Sequence, residues 1–368
     1  QAKAPVILAD LSIETAKKYY RENDSINKTD FVVKAIYSDG TIKILTNDEF
    51  EIDKTTAPTS KTEFDLLFTY KDETTGKSIE KAKTLQVALP IGLNNTMVGT
   101  GVINVETGET VILNTGDVEI PEVIMYRGRI HIITKIEATA FFDNNNITSI
   151  KMPNTITAIE SSAFYDCINL RGKLILPESL TTIGIQAFSN CSGLTGDLII
   201  PDSVTSIGSY AFSGCKGFTG NLIIPESVTT INDVAFTGCS GFTGDLIIPD
   251  SVTSLGDYAF SLCPGFNGNL IISKSLTDIN RGVFKGCTGL TGDLVIPDSV
   301  TSIGSDAFAD CQGFTGNLII PDSVTWIRSS AFYNCTNLDK IIIQGKSEGE
   351  IPFSPWGAPD TVIIECQP

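Results

Sequence analysis

This 368-residue chain contains a single histidine, His131. A Ser–His or Cys–His base system would have to use that one imidazole, and it sits in the strand-like run RIHIITKI. No GxSxG, GxGxxG, phosphate-loop or HExxH motif occurs. The short CxxC pairs and histidines of a zinc site are missing too. No apolar run approaches 18 residues, so no membrane-crossing helix is expected. Positive charge is scarce: 26 Lys and Arg face 43 Asp and Glu, a formal net charge of −17. The deficit is uneven, because residues 1–90 hold 13 against 15 and the remainder 13 against 28. Such an acidic surface repels phosphate backbones and anionic lipid, which argues against nucleic acid and membrane as partners. These absences together speak against an enzyme, a cofactor or a bound metal. The chain opens on Gln1 rather than Met, so a processed or trimmed product is expected; no signal peptide is recognisable in it.

What the chain has in abundance is repetition. Residues 197–220 read DLIIPDSVTSIGSYAFSGCKGFTG and residues 221–244 read NLIIPESVTTINDVAFTGCSGFTG. Cys167, Cys191, Cys215, Cys239, Cys263, Cys287, Cys311 and Cys335 follow one another at intervals of 24 residues. So strict a period means one unit stacked on itself, a solenoid. Each unit carries an apolar triplet (Leu198, Ile199, Ile200), then Pro201, a Val-x-x-Ile segment (Val204, Ile207), Ala211-Phe212, Cys215 and Phe218. The triplet and the Val-x-x-Ile segment are too short for helices. They are read as two short strands per turn, each pairing in parallel with its copies. The AFxxC piece is expected to be a tight helical or 3₁₀ corner.

Stacking at about 4.7–4.9 Å per turn converts every repeat position into a ladder. The phenylalanines Phe164, Phe188, Phe212, Phe236, Phe260, Phe284, Phe308 and Phe332 are expected to form a core spine. For the cysteines, metal binding, redox chemistry and disulfide pairing are all open on distance. Their identical, same-facing neighbours favour small buried thiols filling a corner. The residue opening each unit alternates, Asp197, Asn221, Asp245, Asn269, Asp293, Asn317, which points to a 48-residue pair and relieves like-charge stacking. A second acidic row, Glu178, Asp202, Glu226, Asp250, Asp298 and Asp322, is interrupted by Lys274 and follows Pro in a turn.

The repeat resembles the BspA-like leucine-rich repeat, with its LxxIxIPxxVxxIGxxAFxxCxxL pattern, over residues 118–345. Most copies here carry one extra residue (FTGDLII, FTGNLII), giving 24 per turn. Residues 1–90 lack the repeat. FVVKAIYS, the Asp39-Gly40 turn, TIKIL, FDLLFTY and TLQVAL suggest an antiparallel β-sandwich. With the later TY…G…K pair, that run resembles bacterial Ig-like domains of surface proteins, although it has neither Cys nor Trp. The expected fold is therefore mainly β: an N-terminal Ig-like β-sandwich (1–90), a junction (91–117) with a hairpin near Thr107-Gly108, a right-handed leucine-rich-repeat solenoid with short parallel strands (118–345), and a C-terminal cap (346–368) in which Trp356 covers the last turn.

The resemblance implies a non-enzymatic, secreted, bacterial cell-surface module: adhesin-like protein binding, with the Ig-like domain as spacer. Its partner would be a host or bacterial surface or matrix protein. Alternatives are a glycan-binding module and a structural stalk without a specific ligand. The expected chain is an extracellular monomer with no nucleic-acid partner, no membrane insertion and no cofactor. Specificity is sought where repeats differ or where charge lines up. The candidate partner-binding residues are Tyr210, Tyr258, Trp326, Arg328, Tyr333, Asp202, Glu226 and Asp250. Arg281 and Lys285 are further departures near the same end. Sugar stacking would draw on Tyr210, Tyr258, Trp326 and Trp356.

Overall fold

A computed structural model describes residues 6–58, 63–94, 97, 102–104, 110–347, 350 and 356–367. It divides into two units, one made from 1–91, 103–109 and 123–132, the other from 92–102, 110–122 and 133–368. The structure is mainly β. Among the described residues the longest helical element is the single 3₁₀ turn Lys28–Asp30.

In the first unit, Leu8–Thr15 pairs antiparallel with Phe31–Tyr37, which pairs with Ile42–Ile44 across the Asp39-Gly40 turn. A second sheet joins Phe50–Ile52, Glu63–Lys71 and Ser78–Leu93, again antiparallel. Glu63–Lys71 alternates exposed and buried residues almost perfectly, as a strand with one face on a core must. Phe31 from one sheet meets Phe68 from the other edge-on at 4.9 Å. Leu8, Leu11, Tyr20, Val33, Phe50 and Leu66 close the core around them. This is a β-sandwich-like arrangement. The last strand runs through Pro90 rather than stopping before it. The hairpin expected near Thr107-Gly108 falls outside the described residues.

The second unit is a β-solenoid of stacked parallel strands. One ladder runs through Ala158–Ile159, Thr182–Ile183, Ser206–Ile207, Thr230–Ile231 and Ser254–Leu255, and resumes in Asp278–Ile279, Ser302–Ile303 and Trp326–Ile327. The apolar triplets form the other ladder. It comes in blocks of two: Leu198–Ile199 pairs with Leu222–Ile223, and Leu246–Ile247 with Leu270–Ile271. The blocks match the 48-residue period. Gly196, Gly244 and Gly292, each before Asp, are left-handed at φ 78, 79 and 76, while Gly220 and Gly268, each before Asn, are not; Gly316, before Asn317, departs from this at φ 69. Within a block the Asp carboxylate accepts the backbone N–H of the following Asn, at 2.8 Å for Asp197 with Asn221 and 2.7 Å for Asp245 with Asn269. From residue 196 to residue 293 the Asp–Asn alternation thus accompanies two alternating backbone conformations.

The corner is neither α-helical nor 3₁₀. Three overlapping turns build it: the carbonyls of Gly208, Tyr210 and Phe212 accept from the N–H groups of Ala211, Ser213 and Cys215. Tyr210 (φ 58) and Gly214 (φ 74) are left-handed, which a helix does not allow. This conformation frees the alternate N–H groups of Tyr210, Phe212 and Gly214 to point along the stack, where they donate to Asp233, Ala235 and Thr237 of the next turn. A helix would have kept those donors to itself.

Phenylalanine rings at the corner stack from Phe141 to Phe332, with centroids 4.8–6.2 Å apart and planes within 3–17°. Burying each ring contributes roughly 1.5–3 kcal/mol, with about 0.5–1.5 kcal/mol more from the aromatic pair. The eight repeat cysteines are free and buried. Each thiol donates backwards to a phenylalanine carbonyl of the preceding turn, as Cys191 does to Phe164 and Cys215 to Phe188, both at 3.0 Å. Desolvation pushes the thiols of Cys215, Cys287 and Cys335 up to about 12 and those of Cys239, Cys263 and Cys311 well above the ordinary range. Thiolate is the reactive form, so these groups are inert packing. At the far end, Trp356 is 1% exposed, and Ile363–Gln367 adds a final parallel strand to Leu338–Gln344.

Candidate interaction face

The Pro-[Asp/Glu]-Ser turn separates two jobs. Its serine points inward: Ser203 donates to the Leu180 carbonyl at 2.6 Å, Ser227 to Val204 and Ser251 to Val228, both at 2.8 Å. The neighbouring acid points outward, so Asp202, Glu226 and Asp250 are all exposed. In the Lys274 turn the row is locally neutralised. The Lys274 ammonium lies 3.8 Å from Asp250, whose carboxylate also accepts the Lys274 N–H at 2.9 Å. The middle residue of each apolar triplet also faces out: Ile175, Ile199, Ile223, Ile247, Ile271, Val295 and Ile319 are exposed. Alternation along the strand signals this row, yet the uniformly apolar LII run hides it.

Tyr210 and Tyr258 occupy the same left-handed corner position two turns apart. Tyr210 is 43% exposed. Tyr258 is half-buried, because the next turn has Gly282 in that position and the tyrosine ring lies over it. A Cβ at Gly282 would stand 2.2 Å from Tyr258 Cε1. The Arg281 guanidinium covers the ring at 5.4 Å. Tyr333, on the corner of the last full turn, is 56% exposed. Trp326 is 38% exposed, whereas Trp356 is buried. Trp356 therefore cannot serve as a stacking platform for sugar.

Two of the departures from the repeat, Arg281 and Arg328, line one groove of about 580 Å³. Its wall contains Asp257, Asp278, Asn280, Arg281, Asp306 and Arg328, with serines between them. Trp326 continues the column Asp278–Ser302–Trp326 at its margin. Arg328, Arg281 and Trp326 are thereby brought together. Asp202, Glu226 and Asp250, on the Pro-[Asp/Glu]-Ser segments of three successive turns, do not line the groove. Asp278, Asn280 and Asp306 complete the groove although no motif marks them. Reading the sequence in columns of 24 would have exposed Asp278, which stands where Thr182, Ser206, Thr230, Ser254 and Ser302 stand in other turns. Among the described residues no group of three or more His, Cys, Asp or Glu is arranged to hold a metal ion.

A family model described as BspA type leucine rich repeat region matches six times, over residues 134–267, 195–315 and 266–352. Solved structures are similar as well. A leucine rich cell surface protein from Faecalibacterium prausnitzii is 23% identical, covering 84% of this chain and 98% of its own, with a TM-score of 0.28. A leucine-rich repeat protein from Bacteroides ovatus is 20% identical over 73% and 98%, at 0.32. One from Eubacterium ventriosum is 20% identical over 69% and 66%, at 0.45. No curated protein matches the chain.

Proposed function

The chain belongs to the BspA-type leucine-rich repeat family, and on that premise we propose that it is a non-enzymatic, protein-binding module of a bacterial cell surface. The array presents an acidic face to a basic region of a host or bacterial surface or matrix protein. The N-terminal β-sandwich-like unit, assigned to residues 1–90 with an Ig-like character, is the spacer. The solenoid takes residues 118–345 and the cap 346–368, and the chain acts extracellularly as a monomer. One observation carries the reading: Asp202, Glu226 and Asp250 are exposed at a constant pitch, in a region where negative charges outnumber positive by 28 to 13. All three carboxylates are exposed to water, Asp250 while also accepting the Lys274 backbone N–H.

The test screens the full chain against purified matrix and surface proteins at low and high salt, beside the triple variant Asp202→Asn, Glu226→Gln, Asp250→Asn. Binding driven by this row weakens with salt and weakens in the variant. Binding indifferent to both removes the acidic face from the function.

A further inference from the structure

We propose that the groove between residues 257 and 329 is a binding site for a carboxylate-bearing sugar, a uronic or sialic acid residue of a glycan. The site goes beyond the protein-binding reading and does not depend on it.

The repeat is nearly monotonous, so its departures are informative when they gather in space. Arg281 stands where Asp233 and Asp257 stand in the two preceding turns. Gly282 replaces the Tyr258 side chain, and Arg328 stands where the six preceding turns have Gly or Asn. Trp326 replaces Ser or Thr, and Asp278 does so two turns earlier. All five changes belong to the same stretch of the coil. They either line the groove, border it or, at Gly282, let Tyr258 lie flat beside it.

Charge pairing inside the groove decides what it would take. Of its three carboxylates, only Asp306 is charge-paired within the protein; Asp257 and Asp278 are held in place by uncharged donors and keep their charge. Asp257 accepts the Arg281 N–H at 3.1 Å. Asp278 accepts from the Thr277 hydroxyl at 2.8 Å and from the Ser302 hydroxyl. Asp306 meets the Lys285 ammonium at 3.5 Å. The two guanidiniums are not committed. Arg281 lies on the face of Tyr258, which orients it without neutralising it, and neither it nor Arg328 forms an ion pair among the described residues. Both are exposed. An arginine fork left open in a concave site is matched in geometry by a carboxylate. The array's excess of negative charge makes two open arginines more conspicuous, since carboxylates to pair with are plentiful. Ser305 and Ser329 offer hydroxyl donors and acceptors to sugar hydroxyls, and Asn280, whose amide nitrogen donates to the Leu255 carbonyl at 2.8 Å, offers its amide oxygen. The exposed indole of Trp326 offers an apolar face for a sugar ring. A carboxylate with hydroxyls around it and a flat apolar side is an acidic sugar.

The test measures binding of the full chain to an oligogalacturonide and to sialyllactose, beside three controls: the methyl-esterified oligogalacturonide, neutral lactose and a glutamate-rich peptide. At least one acidic sugar is expected to bind, with the controls on the order of tenfold or more weaker, the scale of one charged hydrogen bond. Arg328→Gln and Arg281→Gln should each lower affinity about tenfold or more. Trp326→Ala should lower it by about tenfold, while Asp202→Asn, outside the groove, should leave it unchanged. Thermal melting checks that each variant folds. If neither acidic sugar binds, the assignment fails. Equal binding of the ester or of lactose removes the carboxylate from recognition, and equal binding of the peptide removes the sugar. Unchanged affinity in both arginine variants places the ligand elsewhere. A matrix protein bound through the acidic row would be untouched by any of these results.

Discussion

The two units bury aromatic rings in opposite ways. In the β-sandwich-like unit Phe31 meets Phe68 at an interplanar angle of 77° and Tyr20 meets Phe64 at 71°. In the solenoid, Phe188, Phe212 and Phe236 lie within 4° of parallel from one ring to the next. The first arrangement arises when residues far apart in sequence converge from two sheets, each contact being unique. The second follows when one contact is copied at fixed register. A unique core must be assembled all at once. A copied core is a sum of nearest-neighbour terms. Buried polar chemistry differs as well: the solenoid holds eight buried thiols, and residues 1–90 hold no cysteine.

Alkaline titration should split the units most widely. A thiol has an ordinary pKa near 8.5 in an unfolded chain and is pushed up to about 12 in the folded array at Cys215, Cys287 and Cys335. Between those values the unfolded chain has lost the proton and the folded chain keeps it. Stability is therefore full below about pH 8.5 and declines as pH rises towards 12, by about 1.4 kcal/mol per pH unit for each such thiol. Calorimetry from pH 7 to 10 should show the array's transition falling first. The sandwich-like unit resists longer. Tyr20 and Tyr37 are also raised, by burial and by a hydrogen bond to Tyr70 respectively, but they start from the higher tyrosine range near 10. A parallel decline of both units would erase the contrast.

Truncating a ring comes next. Phe236→Ala in the stack and Phe68→Ala in the sandwich should each cost about 3–5 kcal/mol. Each should lower only its own unit's transition, read by calorimetry with limited proteolysis. Smaller is Cys239→Ala, which removes a buried sulfur and its 3.0 Å hydrogen bond to Phe212. About 1–2 kcal/mol is expected, and chemical denaturation measures it. Smallest is Asn221→Asp, which places three aspartates in consecutive turns. It should cost roughly 0.2–1 kcal/mol, recovered on adding salt. If salt restores nothing, alternation serves only the two glycine conformations.

The solenoid was legible because a 24-residue period leaves few folds open, and its strands, ring spine and buried thiols stand where the period places them. The corner misled for a physical reason. Ala, Phe and Cys at i, i+1 and i+4 suit a helical turn, while the left-handed residues that break it, such as Tyr210 and Val234, are not types that favour φ above zero. In the first unit, Leu8–Thr15 escaped notice because a register shift between Leu8 and Asp10 breaks its two-residue alternation. Phe50–Ile52 is simply short. The groove was half legible. Trp326, Arg328 and Arg281 stand out singly, but their meeting depends on in-register stacking across three turns, a relation no local window contains.

Alternate corner N–H groups of the solenoid point towards its C-terminal end, so a stack left open there would offer a row of donors to any chain able to accept them. The Trp356 carbonyl takes the Phe332 N–H at 3.2 Å. Gly357, left-handed at φ 77, allows the chain to cross with a built Cβ only 2.9 Å from Ser330. A row of such donors is what a second copy stacking head to tail would have to meet. Along this corner the protein has a direction, and at its last full turn a tryptophan carbonyl takes one of the donors.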